Sequence, residues 1–467
     1  EVVTPTGQNP GTGLTRSNMF PAPPNVWSDT GGARNRAPTF EDNNLHNYAR
    51  RSVATNAIFY NTNVEYRPWV NENDIEMANA NPNCAYYDPM RPASGCLNLL
   101  AQKTETARWF RNRPSPLDAL PDNIDNAENA CDPNDNNATC PMTYWPLTYF
   151  IYNGGAIEVA GNYDKVHIQG GTLYLNNIPV ADTSSFSSIT RTPTEEAQNF
   201  ANWFQYHRAR IAVARAGTGR AFAQQGNSLR VGFGTLNTGF IGAYPSASIQ
   251  TGTNTSTRQV DGATHPTTLR LGVRPFSGLD RKAFFDDLYI VDANGDTPLR
   301  RALADIGLYY SRTDNAGPWG NTPGTNDNTP HSECRQSSAI LTSDGFWDID
   351  VPETTATSLG NVDNTSGPTI VNHTPGGTPT SYSYTPADPY QDSFTGTSNG
   401  VIQNTLADVA MYFWNRDLRT DLPNRTPTSA TDEAFWQHMT TYTAVSYTHL
   451  RAHETAMNIS YAVFCLK

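Results

Sequence analysis

Over the first 195 residues apolar positions come in short clusters with no sustained period. "NAIFYNTNVEYRPWV" and "TYWPLTYFIYNGG" predict short strands in irregular structure, and "KVHIQGGTLYLNNIPV" predicts a hairpin turning on Gly170-Gly171. Near Glu195 the pattern changes. In "EEAQNFANWFQYHRARIAVARAGTGRAFAQQ" Phe200, Trp203, Phe204, His207 and Ile211 share one face, which predicts an amphipathic helix with Arg208 and Arg215 as a solvated stripe. "LRVGFGTLN" predicts a short strand. A polar excursion over residues 238–266 leads through "TTLRLGVRPF" to the helical "DRKAFFDDLYIV". Leu299, Ala302, Leu303, Ile306 and Tyr310 then predict a helix from about Pro298. "SSAILTSDGFWD" reads as a strand, "NTLADVAMYFWNRDL" as a helix with Leu406, Val409, Ala410 and Phe413 inward, and "FWQHMTTYTA" as a closing strand.

Such alternation predicts an α/β domain over 196–444, a doubly wound parallel sheet, after an irregular polar region over 1–195. "VGFGTLN", "SAILTSDG" and "HMTTYT" are its expected neighbouring strands. Ligands of such sheets sit beyond the carboxyl ends of the strands. Asp344 ends one strand in "LTSDG", and Thr297 in "GDTPLRRAL" starts a helix after a glycine turn, so both can reach one edge. Plain structural readings stand beside this. Thr297 before Pro298 also reads as an N-cap with proline at the first helical position, and Asp344-Gly345 also reads as a turn. Residues 445–467 continue none of these patterns and, with Cys465, are set aside as extraneous coding sequence.

Composition narrows the class. Of 467 residues 37% are apolar and 16% charged, with 34 Gly, 33 Pro and 22 Tyr, a profile suited to a loop-rich extracellular or periplasmic protein. A net charge of −12 argues against binding nucleic acid, which needs a basic face. No stretch approaches the ~20 apolar residues of a transmembrane segment. The start at Glu1 suggests a processed or truncated beginning. Cys84 and Cys96 flank a short polar loop, as do Cys131 and Cys140, which predicts two loop-closing disulfides; neither gap is that of a zinc knuckle. Cys334 has no nearby mate. Ser398 in "GTSNG" has the G-x-S-x-G spacing of a hydrolase but no buried strand before it, and H-E-x-x-H does not occur. The Tyr and Trp of residues 55–150 leave a carbohydrate-binding surface as an alternative.

The blocks "NFANWFQYHRARIAVARAGTGRAFA", "VGFGTLN", "GDTPLRRALADIGLYYSR", "ECRQSSAILTSDGFWD", "NTLADVAMYFWNRDLRTDLPN" and "FWQHMTTYT" closely resemble the PilC/PilY family of type IV pilus biogenesis factors and tip-associated adhesins. "PTFEDNNLHNY", "NAIFYNTNVEYRPWV" and "AQKTETARWFRN" resemble its N-terminal half. The resemblance implies a von Willebrand factor A-like module with long insertions, followed in the family by a β-propeller that this chain does not reach. It implies a non-enzymatic protein of the bacterial cell surface (pilus tip or outer membrane, by way of the periplasm) that meets pilins or minor pilins and a host-cell or surface receptor. It also gives Thr297 and Asp344 a shared role, holding Mg²⁺ (or Ca²⁺) with a D-x-S-x-S loop. Ser343 stands where the family more often has threonine. Asp29 in "NVWSDTGGAR" is the nearest candidate for the first loop, but Gly31 replaces its serine, so the resemblance places that loop upstream of Glu1.

Overall fold

A computed structural model describes residues 48–49, 51–107, 140–157, 159–180, 189–236, 259–264, 269–291, 297–343, 358–372, 380–391, 403–430, 432–445 and 461–466. The chain is mixed α/β and forms two compact units that divide after Arg220, whereas the sequence pattern changes near Glu195.

In the first unit, β1 (Thr148–Tyr152), β2 (Tyr163–Gln169), β3 (Thr172–Leu175) and β4 (Ile178–Pro179) form an antiparallel meander. Its β2–β3 hairpin turns on Gly170 and Gly171 as expected; their φ of +55° and +85° are values that glycine adopts without strain. Helix α1 (Pro193–Tyr206) starts at a Thr192/Glu195 capping box with Pro193 in its first turn. The expected single helix is two, with α2 (Arg210–Ala223) following a break at His207–Ala209. At that break the Arg208 guanidinium donates to the carbonyls of Phe204 and Tyr87, both at 2.7 Å. The stripe expected to be solvated is therefore engaged, and Arg215 is buried above the Trp69 ring.

Residues 56–70 were expected to form short strands, but they run as turns and irregular backbone ending in one isolated bridge at Val70. The reason lies in α1, where Asn199, Asn202 and Gln205 are buried alongside Phe200, Trp203 and Phe204. Asn199 Oδ1 accepts from Tyr66 N at 2.7 Å, Asn202 Oδ1 from Ala80 N at 2.9 Å and Gln205 Oε1 from Tyr86 N at 2.9 Å. Asn202 Nδ2 donates to the Tyr66 carbonyl at 3.0 Å, and Trp203 Nε1 to that of Ile58 at 3.3 Å. Buried backbone groups must be paired, and here a helix's side chains do it in place of a neighbouring strand.

In the second unit a five-stranded sheet forms from β5 (Arg230–Thr235), β6 (Leu269–Pro275), β7 (Ser337–Ser343), β8 (Met439–Val445) and β9 (Tyr461–Leu466), in the order β6-β5-β9-β7-β8. Strands β7 and β8 pair in parallel; β9 is antiparallel to both β5 and β7, and β6 is antiparallel to β5. The three expected strands thus share a sheet and a direction, but β5 and β7 are not neighbours and the sheet is mixed. Residues 461–466, in the segment set aside, supply the strand between them; "YAVFCL" is an unbroken apolar run of the kind that suits a central strand. The β6 segment was not anticipated, because its alternating Arg270 and Arg274 mask the apolar pattern.

Helices α3 (Gly278–Ile290), α4 (Leu299–Tyr310) and α5 (Leu406–Trp414) accompany the sheet. Leu303, Ile306 and Tyr309 of α4 join Val409 and Phe413 of α5 and Ala339, Leu341 and Met439 of the sheet in one core. Gly307 lets α5 pack closely on α4, since a Cβ there would lie 2.4 Å from the Phe413 ring. One buried polar cluster of this unit is paired: Asp261 accepts from Tyr309 Oη at 2.7 Å and from both terminal nitrogens of Arg274.

Candidate functional site

The direction of α4 fixes where Thr297 lies. Tyr310 Oη, at the C-terminal end of α4, donates to the Ser338 carbonyl at the start of β7 at 3.2 Å, so the helix runs back against the strand. A 12-residue helix spans about 18 Å and a seven-residue strand about 20 Å, which puts the helix start level with the end of β7. Ser343, the last residue of β7, is buried there. Thr297 is 3% exposed and its hydroxyl makes no hydrogen bond among the described residues. It does not cap α4. Pro298 occupies the N-cap position, with no side-chain cap bond, because the turn closes one residue later than the sequence suggests.

The start of α5 adjoins the same place. Arg300 Nη1, in the first turn of α4, donates to the Asn404 carbonyl at 2.5 Å, one residue before the Thr405 cap of α5. Asp408 is fully buried; Oδ2 accepts from Thr405 N at 2.8 Å, and Oδ1 accepts from Val362 N at 2.7 Å. The N-termini of α4 and α5 are therefore near one another, and each carries the partial positive charge that favours an anionic group nearby. Asp408 was missed in the sequence, although Thr405-x-x-Asp408 ahead of an apolar run is a capping-box spacing.

Asp344 lies outside the described residues, as do Ser398, Cys131 and the candidate Asp29. Among the described residues no group of three or more His, Cys, Asp or Glu could hold a metal ion. Of the two residues expected to hold a divalent cation only Thr297 is among the described residues, and a hydroxyl is not a site without carboxylates. Cys84 and Cys96 form the expected disulfide. Cys140 begins a short strand paired with Lys103–Ala107, and Cys334 is free and exposed. The aromatics once open to a carbohydrate role are largely interior, with Phe59, Tyr60, Trp69 and Tyr149 all buried. Among the described residues no helix is long and apolar enough to cross a membrane.

A mixed α/β protein of two compact units is a broad class, and comparison with known proteins narrows it. The chain is 31% identical over 322 residues to the type IV pilus biogenesis factor PilY1 of Pseudomonas aeruginosa strain PAO1, covering 62% of this chain and 24% of that protein. It is 28% identical over 317 residues to PilY1 of strain PAK (64% and 22%) and 29% identical over 280 residues to PilY1 of strain UCBPP-PA14 (57% and 20%). The chain is related to the PilY1/PilC type IV pilus biogenesis factors, and the match spans about a quarter of the length of these relatives. No family model and no solved structure matches it.

Proposed function

We propose that this chain is part of a type IV pilus biogenesis factor acting without catalysis at the bacterial cell surface, where it contacts pilin or minor pilins and serves in adhesion to a host-cell or other surface receptor. The similarity to three PilY1 proteins carries this reading. Within it the second unit is a von Willebrand factor A-like module, a view supported by the common direction of β5, β7 and β8 and by the helices between them. The crevice at the α4 and α5 N-termini is its ligand edge. Thr297 and Asp344 together hold one divalent cation there, Mg²⁺ or Ca²⁺, and an open coordination position on the ion accepts a partner's carboxylate.

Calorimetry with Mg²⁺ and with Ca²⁺ tests the cation. This chain should bind weakly, a chain extended upstream to include a D-x-S-x-S loop tightly, and Asp344→Ala should abolish binding in both. Equal affinity with and without Asp344 would return that residue to being a turn. The wider role is tested in cells by placing Asp344→Ala in the native gene and counting surface pili and measuring twitching. Normal piliation and motility in the variant and in a complete deletion would sink the pilus reading.

A further inference from the structure

Three arginines of the second unit present the same edge, Nε and Nη2, to a carboxylate. Arg270 holds Asp287 at 2.8 and 2.6 Å, Arg312 holds Asp314 at 2.9 and 2.8 Å, and Arg419 holds Asp421 at 2.8 and 2.7 Å. This planar two-bond fork is what guanidinium offers and ammonium cannot.

Arg335 leaves that edge open. Its Nη1 donates to the carbonyls of Trp319 and Gly320 at 2.5 and 3.0 Å, while Nε and Nη2 have no partner among the described residues. A second guanidinium comes to the same point. Arg230, the first residue of β5, donates Nη1 to the Gly320 carbonyl at 3.0 Å and Nη2 to the Asn321 carbonyl at 3.0 Å. Burial pushes the Arg335 pKa down to about 10 and the Arg230 charge adds to that, with only the neighbouring Cys334 thiol, and no carboxylate among the described residues, opposing it. Burial alone lowers that of Arg230. In a chain with 44 acidic and 32 basic residues, two half-buried guanidiniums sharing one carbonyl, with no carboxylate paired to either among the described residues, mark a concentrated positive point.

The point is rigidly built. The Trp319 ring is fully buried and its Nε1 donates to the Tyr310 carbonyl at 2.5 Å, which seats the loop carrying Gly320 at the C-terminal end of α4. Arg230 opens β5 and Arg335 precedes β7 by two residues, so both lie at the N-terminal ends of two strands that run the same way in the sheet.

We propose that Arg335, reinforced by Arg230, is a docking point for a side-chain carboxylate from an acidic segment of a partner protein. The remaining edge of Arg335 is the one that Arg270, Arg312 and Arg419 give to Asp, which favours a flat two-oxygen group over a tetrahedral one. The site is separate from the cation crevice and does not depend on it.

The test is fluorescence anisotropy of the full chain with labelled hexaglutamate, amide-capped at its C-terminus, against capped hexaglutamine. Hexaglutamate should bind and hexaglutamine should not. Arg335→Lys, which keeps the charge but loses the fork, should weaken binding by roughly fivefold or more, with its unfolding midpoint checked in urea. Should Arg335→Lys fail to fold, Arg230→Gln, which leaves the Arg335 edge in place, must weaken binding through loss of the second charge. Acetate should compete at lower concentration than inorganic phosphate. Failure of the wild-type chain to bind hexaglutamate, or equal binding by the wild-type chain and the folded variants, would overturn the proposal. Displacement by phosphate ahead of acetate would overturn the choice of a carboxylate.

Discussion

In the first unit the side chains of α1 carry hydrogen bonds that neighbouring strands carry for β5–β9 in the second. Asn199, Asn202 and Gln205 each accept from a backbone N–H of residues 66–86, so an irregular segment is buried without a ladder. In the second unit the ladder satisfies the backbone and helices α4 and α5 can be apolar where they face the sheet. Around α1 the first unit leans on polar pairs, and between α4, α5 and the sheet the second leans on volume. Polar pairs fail abruptly when one partner is removed, because the other is left buried and unsatisfied. Apolar packing fails in proportion to the volume changed.

Glu196 should be the most sensitive position. It is fully buried, and its Oε1 accepts from Tyr60 Oη at 2.7 Å, Thr62 Oγ1 at 2.9 Å and Tyr149 Oη at 2.7 Å. Its Oε2 accepts from Arg191 Nη1 at 3.3 Å. Glu196→Ala removes the acceptor shared by three hydroxyls and the carboxylate partner of Arg191, and should cost about 3–5 kcal/mol of stability, in the range for a broken buried ion pair. Urea unfolding measures it. A loss below about 1 kcal/mol would mean that the first unit does not rest on its polar pins.

The matching change in the second unit is Gly307→Ala. Its Cβ would meet Phe413 ring atoms at 2.4–2.5 Å, and the overpacking should cost about 1–3 kcal/mol. Alanine's better helix propensity offsets up to about 1 kcal/mol of that. Phe413→Leu on the same background should recover part of the loss, giving a coupling that simple addition of the two changes does not predict. Strict additivity would show that α4 and α5 do not meet at Gly307.

What the sequence disclosed divides along the same line. Volume leaves a periodic trace, so α3, α4, α5, β5, β7 and β8 were legible from apolar spacing. Polar pins leave none. Asn199, Asn202 and Gln205 look like the solvated side of an amphipathic helix, and only the fold shows them to be inside. Residues 56–70 misled for the same reason, since Phe59, Tyr60 and Trp69 are strand-like in composition yet buried in turns. At the candidate site the sequence expected Thr297 at the ligand edge and at the cap of α4. It misjudged the cap, because one residue of helix start is below what spacing resolves.

The smallest expected effect uses one histidine from each unit. In the first, His207 Nε2 donates to the Arg67 carbonyl at 2.7 Å; burial lowers the His207 pKa, the Arg67 bond opposes this and the Arg220 charge adds to it. In the second, His331 Nδ1 accepts from Arg419 Nη2 at 2.8 Å, so its proton sits on Nε2, which donates to Asn315 Oδ1 at 3.1 Å. Burial lowers the His331 pKa first, then Arg419 and Arg335, against Asp421 and Asp314. With folded values below the unfolded value near 6.5, the unfolded chain takes up protons first on acidification. Each histidine therefore contributes stability that is complete above about pH 6.5 and is lost as the pH falls below it. Asparagine at 331 can present an acceptor where Nδ1 stood, and glutamine at 207 a donor where Nε2 stood, and neither titrates. Comparing urea midpoints at pH 7.5 and 5.5, His331→Asn should flatten the pH dependence more than His207→Gln. At His331 a second proton would have to face the Arg419 donor, whereas at His207 it would meet only a weaker surrounding charge. An equal flattening by both would show that burial alone sets the two values. No flattening by either would mean that neither histidine is held neutral by the folded chain.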